Sequence, residues 1–276
     1  MQSHWFSVGS LCAWARPGVG AVATQSVVEP AHGPNGLDRL QAGATAEQAL
    51  AGLLASDELA DVRQVGVADA AGRVAVHTGA DCIPCAGHQV GEHVSCQANM
   101  MARETVPGAM VAGFEATEGD LADRLVAALY AAEGEGGDVR GRQSAALVVV
   151  PAQGPAWQAR FELRVEDHPD PLAELVRLLR LGRAYELAGQ ADELMASERA
   201  TEAGALYERA AQLAPESDEL LFWAGLARAH IGDLEAGVAA VRRAAEVNPS
   251  WLVLLERLSP DFAPAGERVR RELAAD

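Results

Sequence analysis

Apolar and polar positions follow two rhythms along this chain, and the rhythm changes once. Residues 18–27 (GVGAVATQSV) mix Gly with β-branched residues and predict a buried strand. GPNG (33–36) reads as a turn or helix entry. Beyond it, Leu37, Leu40, Ala46, Ala49, Leu50, Leu53 and Leu54 recur at helical spacing and predict a helix over about 37–55. RQVGVAD, the turn AAGR and VAVHTG predict a strand, a tight turn and a second strand over 63–79. Residues 80–98, rich in Cys, His and Gly, read as irregular. Helices are expected over 99–115 and 120–133, the second with Leu121, Leu125, Ala128 and Leu129 on one face. SAALVVV (144–150) predicts a core strand, and 157–165 alternates like a half-exposed one.

Past DHPDP (167–171) the rhythm is helical. Leu172, Leu175, Val176 and Leu179 stand at i, i+3, i+4 and i+7, with Asp170 placed as N-cap and Pro171 in the first turn. An internal repeat follows. An offset of 34 pairs Ala203 with Gly237, Tyr207 with Val241, Ala210 with Ala244 and Pro215 with Pro249. That is the tetratricopeptide period: two helices, small residues where they cross, and Pro after the second. The segment 226–249 resembles such a unit well, and 184–217 resembles it poorly in its first helix. An unrelated antiparallel bundle is the competing reading. Trp251, Leu254, Leu255 and Leu258 predict one more apolar face, SPDFAPAG a break, and the last residues a capping helix. The organisation expected is an α+β domain over 1–168 and an all-α, tetratricopeptide-like domain over 169–276.

Composition adds exclusions. All 22 basic residues are Arg, which removes any catalytic lysine, Schiff base or P-loop lysine. The formal net charge is −17, and both halves are acidic. Such a chain offers no basic field for nucleic acid or an anionic membrane. No apolar run approaches the ~20 residues of a membrane span. Four Cys in 276 residues make no disulfide scaffold, so a cytoplasmic protein with reduced thiols is expected.

Several strings carry a family resemblance: WARPGVGAVATQ (14–25), GPNGLDRLQAG (33–43), RQVGVADAAGRVAVHTG (63–79), AGHQVGEHVSCQANM (86–100), GGDVRGRQSAALVVV (136–150) and FELRVEDHPDPLAELVRLL (161–179). In these the first half resembles the bacterial domain-of-unknown-function 1028 family, which is assigned to the N-terminal-nucleophile (Ntn) hydrolase-like fold. The resemblance implies a four-layer αββα sandwich. It also implies, from the wider superfamily, hydrolysis of a small amide, ureido or peptide-like C–N bond without a cofactor. The nucleophile there is the first residue of the processed chain and its α-amine the base, a pairing suited to neutral pH because α-amines titrate near 8. The family typically opens with a Thr- or Ser-initiated strand, whereas Met1 here matches the second strand. No residue is therefore named as the terminal nucleophile. An open reading frame extending about 15–20 residues upstream, enough for a strand and a turn, is the expectation.

The resemblance places Ser3 and His4 beside the expected nucleophile, with Thr24 and Gln25 ending the next strand toward the same cleft. The alternatives are a frayed terminus and an ordinary β-former. Asn99 is a candidate oxyanion donor, although an Asn before a helix is more often its N-cap. Asp138 and Ser144 are candidates for orienting or catalytic roles. Arg140, Arg142 and His88 are candidates for holding substrate. The competing reading of 138–144 is a structural loop in which Asp138 pairs with an Arg. Cys82, Cys85, His88, His93 and Cys96 have ligand chemistry suited to zinc but no common zinc spacing, so buried small thiols are the plainer reading and no metal is expected. Expected partners are a small amide-type molecule, a protein or peptide on the helical half, and further copies of the chain. A non-catalytic binding module is the alternative to the hydrolase.

Overall fold

The computed structural model describes residues 1–275, which divide into two compact units, Met1–Leu178 and the residues from Leu179 on. In chain order the first unit holds β1 (Gln2–Ser3), α1 (Gly9–Cys12), β2 (Ala13–Arg16), β3 (Gly20–Ser26), α2 (His32–Gln41), α3 (Ala46–Leu54), β4 (Arg63–Asp69) and β5 (Val74–Thr78). Then follow β6 (Gly87–Gly91), β7 (Val94–Ala98), α4 (Val106–Ala116), α5 (Leu121–Gly134), β8 (Ser144–Val149), β9 (Phe161–Val165) and the start of α6 (Pro171–Ala196). All strand pairs are antiparallel. They form a sheet β2-β3-β4-β5, a sheet β1-β8-β9 and the hairpin β6-β7.

Strand β4 shows why the layers stack as they do. Successive side chains of a strand point to opposite faces. Val65 and Val67 point to one face and join Val22 of β3 in a core with Leu37, Leu40, Leu50 and Leu53 of α2 and α3. Gln64 and Gly66 point to the other. Gln64 Nε2 donates to the Gly87 and Ala98 carbonyls, 3.0 Å each, and a Cβ on Gly66 would lie 2.6 Å from the Gln97 side chain. That face therefore meets the β6-β7 hairpin. The hairpin in turn buries Val94 and Cys96 against Val111 and Phe114 of α4 and Ala128 of α5. Burying each Val, Leu or Phe contributes about 1.5–3 kcal/mol, so the helices are held by their apolar stripes more than by propensity.

Four sequence expectations need correction. The helix expected over 37–55 is two helices. The chain breaks at Gly43, which adopts φ +98°, and Thr45 restarts it with a capping box to Gln48. GPNG opens α2, in line with the helix-entry reading, and Gly33 and Gly36 there give room to Trp14 and Val22. The stretch read as irregular contains the β6-β7 hairpin, turning at His93 with φ +59°. The helix expected from Asn99 begins only at Val106, so Asn99 is not its cap. Strand β9 starts at Phe161, leaving Trp157 84% exposed.

The second unit is helical: the remainder of α6, α7 (Ala200–Leu213), α8 (Asp218–His230), α9 (Leu234–Val247), α10 (Ser250–Arg257) and α11 (Gly266–Ala275). The bounds of α7 and α9 differ by 34 at both ends, the offset of the sequence repeat. The three pairs that fall within these helices are all buried: Ala203 and Gly237, Tyr207 and Val241, Ala210 and Ala244. Phe222 stacks on Trp251 at 4.8 Å between ring centroids and meets Trp223 edge-on at 5.0 Å. Among the described residues no helix is long and apolar enough to cross a membrane.

Candidate functional site

A cavity of about 440 Å³ opens in the first unit where β1, β3 and β7 end. Its walls are Met1–Ser3, Gln25–Val28 and Gln97–Met101, with Trp5 and Val8 before α1, Leu11 and Cys12 from α1, Met110 from α4, Leu129 and Ala132 from α5, and Gly137, Asp138 and Arg140 from the loop before β8. Two wall residues, Ser26 and Met100, hold φ of +70° and +56°. Non-glycine residues pay a conformational penalty there, and such strain concentrates at working sites.

The polar wall is built on Gln64, which is fully buried. Its Oε1 accepts from Gln25 Nε2 at 2.7 Å and from Asn99 Nδ2 at 3.2 Å. Its Nε2 reaches Thr78 Oγ1 at 2.9 Å as well as the two hairpin carbonyls. This network fixes the Asn99 amide toward the cavity and leaves it a second N–H. Gln25 also donates to the Gln97 carbonyl at 3.3 Å. Gln64 was not singled out from the sequence. Its signal is a polar residue at an inward position of an otherwise apolar strand.

Asp138 and Arg140 form the second polar element. Arg140 Nε donates to Oδ1 at 3.0 Å and Nη2 to Oδ2 at 2.7 Å, and the Arg140 amide adds a bond of 2.9 Å. Burial pushes the Asp138 carboxyl up, but the Arg140 bonds and charge, with the His4 amide, outweigh it and hold the carboxyl below its ordinary value. Arg140 Nη2 also reaches Ser3 Oγ at 3.3 Å. The Asp138–Arg140 pair expected of a structural loop is present, and both residues also line the cavity.

The structure thus brings together Ser3, Gln25, Asn99, Asp138 and Arg140, and it leaves the other candidates elsewhere. Thr24 faces α2 and α3 and donates to the Glu29 carbonyl at 3.3 Å, because alternation turns it away from Gln25. The His4 side chain is exposed, and only its backbone N–H meets Asp138, at 3.4 Å. Ser144 is fully buried; its hydroxyl donates to the Trp5 carbonyl at 2.5 Å and accepts from the Val8 amide at 3.1 Å, tying down the turn before α1. Arg142 turns to Glu133 at the end of α5, 2.7 Å away. His88 is exposed on β6 and bonds Thr78 Oγ1 through Nδ1 at 2.9 Å.

The Cys/His cluster is dispersed. Cys96 packs under α4, His93 Nδ1 meets the Gly72 carbonyl at 2.9 Å, and Cys82 Sγ meets the Arg63 carbonyl at 3.4 Å. Among the described residues no three His, Cys, Asp or Glu side chains gather to hold a metal ion. In the cavity, burial pushes the Cys12 thiol up to about 11, which suppresses its thiolate. Burial also lowers the Met1 amine to about 6, while it donates to the Ala146 carbonyl at 2.8 Å.

A buried cluster braces the Val27 wall. Arg63 Nη1 donates to the Val27 carbonyl at 2.6 Å, and its Nε bonds Asp57 Oδ2 at 2.9 Å. The same oxygen lies 2.9 Å from His32 Nε2. Asp57 is lowered to about 2, chiefly by the Arg63 hydrogen bond, with His32 and the Leu59 amide adding to it against the opposing effect of burial.

Comparison with known proteins gives a family and a structural relative. The model of the family described as "Family of unknown function (DUF1028)" matches residues 1–175. The crystal structure of a Silicibacter pomeroyi protein assigned to that family model is similar at a TM-score of 0.59 and 28% identity, over 65% of this chain and 79% of that one. No curated protein matches significantly.

Proposed function

The chain belongs to the DUF1028 family of unknown function, and on that premise we propose that its first unit is an Ntn-type, amidohydrolase-like domain acting on a small amide, ureido or peptide-like C–N bond. The layering supports a four-layer αββα sandwich: α2 and α3 lie on one face of β2–β5, and the β6-β7 hairpin on the other face is itself covered by α4. The observation that carries the reading is Asn99. Its amide is held by a buried glutamine, faces a cavity of ligand size, and has an N–H left for a developing oxyanion. Gln25 aligns that wall, and the Asp138–Arg140 pair sets Ser3. Arg140 is a positioning group in this reading rather than a carboxylate clamp.

Within the cavity, the Ser3 oxygen accepts from Arg140 and Cys12 is held as the thiol, and among the described residues no histidine is hydrogen-bonded to either. That observation favours the second reading, an αββα binding module without turnover. The helical unit, with α7 and α9 in register at 34 residues, supports a tetratricopeptide-like surface for a protein or peptide partner. A library of small amides and ureas, assayed together for binding and for amine or ammonia release, separates the two. The hydrolase reading expects turnover that Asn99→Ala reduces by about 100-fold, in line with loss of one oxyanion donor, while the melting transition is retained. Binding without release under every condition establishes the module.

A further inference from the structure

We infer that the cavity selects an uncharged ligand, a carboxamide or ureide with a compact aliphatic body, over the carboxylate or ammonium compound of the same shape. The inference rests on the cavity being the working site of the first unit, and it adds the charge and body of what that site takes. Among the described residues Asp138 and Arg140 supply the only charged side chains on the wall, and they neutralise each other through two parallel bonds. An entering carboxylate finds no free cation, and an ammonium no free anion. The Met1 amine, lowered to about 6 by burial, is largely neutral at pH 7. The remaining polar side chains are mainly amides: Gln2, Gln25, Gln97 and Asn99.

Two of these amides are unfinished. Gln2 Nε2 is buried without a hydrogen-bond partner, and Asn99 uses one of its two N–H groups. Neutral N–H donors suit a carbonyl oxygen, which accepts two bonds and carries no net charge to desolvate. The body of the ligand meets thioethers and aliphatic groups. Four of the five methionines line the cavity (Met1, Met100, Met101 and Met110), beside Val8 and Leu129. Unbranched thioethers fill space around varied aliphatic shapes, which selects for apolar volume more than for one outline. The net charge of −17 adds a weak long-range bias against anions.

The test is calorimetric titration of the whole chain at neutral pH and about 0.15 M salt with four matched probes: hexanamide, hexylurea, hexanoate and hexylamine. Hexanamide and hexylurea are expected to bind at least about ten-fold more tightly than either charged probe. Asp138→Asn uncovers the Arg140 charge and is expected to turn the preference to hexanoate. Arg140→Gln uncovers Asp138 and is expected to turn it to hexylamine, which keeps the test alive if one variant melts early. Hexanoate or hexylamine binding the unaltered chain as tightly as hexanamide overturns the inference, as does the absence of binding by every probe at millimolar concentration. Hexanamide bound without ammonia release leaves the inference standing and counts against the hydrolase reading. Turnover confined to charged substrates does the reverse.

Discussion

Gly225 and Gly237 face each other where α8 crosses α9. A Cβ on Gly225 would lie 2.8 Å from the Gly237 carbonyl oxygen, and one on Gly237 would lie 2.6 Å from that of Gly225. Backbone atoms cannot yield as a flexible side chain can, so the helices would have to part. Replacing Gly with Ala inside a helix gains about 1 kcal/mol in propensity, and overpacking costs about 1–3 kcal/mol. Overpacking therefore decides the sign, and Gly237→Ala should lower the melting temperature of the helical unit. Gly189, in α6, has open space where its Cβ would go. Gly189→Ala should raise stability by about 0.5–1 kcal/mol, read in the same thermal unfolding experiment. A stabilised Gly237→Ala would refute the close crossing.

The Asp57 cluster makes an acid-sensitivity prediction. The folded carboxyl is lowered to about 2, first through its Arg63 hydrogen bond, from an ordinary value of 3.8. A lowered acid stabilises the fold above its unfolded value and loses that contribution as pH falls through the folded one. The window is therefore pH 4 to 2, and the loss is on the order of 2 kcal/mol. Asp57→Asn should flatten this part of the stability curve and loosen the Val27 wall that Arg63 holds. Urea unfolding at pH 5, 4 and 3 on both proteins measures it; parallel curves would exclude the cluster as the cause.

Ser144 should behave as a structural group. Ser144→Ala leaves the Val8 amide and the Trp5 carbonyl without their partner, at a cost of about 1–3 kcal/mol. Amide exchange at Val8 should quicken with the loss in stability. A variant of unchanged stability that lost all turnover would instead mark Ser144 as a nucleophile.

Gln64→Met keeps the volume of the side chain and removes its bonds. The Gly87 and Ala98 carbonyls lose a donor, and Gln25 and Asn99 lose their common acceptor. With several buried groups unpaired, the cost should be on the order of 3 kcal/mol or more, seen as a lowered thermal midpoint. Exchange should quicken first across residues 87–98. A hairpin that stays protected would mean that apolar packing under α4 alone holds it.

What the sequence disclosed depended on the range of the cause. Val65 and Val67 alternate with Gln64 and Gly66, so β4 could be read from its neighbours, and the same holds for the helical stripe of Leu172, Leu175 and Leu179. The repeat of 34 was visible because identical packing demands recur at Tyr207 and Val241. The hairpin at 87–98 was hidden because His88 and Gln89 are exposed and Cys96 is not a typical strand marker, although Val94, Cys96 and Ala98 alternate inward. Of the candidate residues, Asp138, Arg140, Asn99, Gln25 and Ser3 line one cavity, and Ser144, Arg142, His4 and His88 lie outside it. The difference lies in partners no local pattern encodes. Gly141, at φ +103°, turns the chain between Arg140 and Arg142, so one arginine meets Asp138 and the other Glu133.

The in-register helices α7 and α9 give the two halves different freedom to change length. On the proposed tetratricopeptide-like reading, a further copy of one 34-residue segment would bring matching faces for the segments on either side, so the helical unit could lengthen in whole steps. The first unit has no such step. Gln2 pairs with Ala145 and Ser3 with Ser144, so the start of the chain is zipped to a strand formed after almost every other element of that unit. Any insertion between them must loop out from the surface and leave both ends where they were. Reach can evolve by copying in one half, while the half that bears the cavity stays at one gauge.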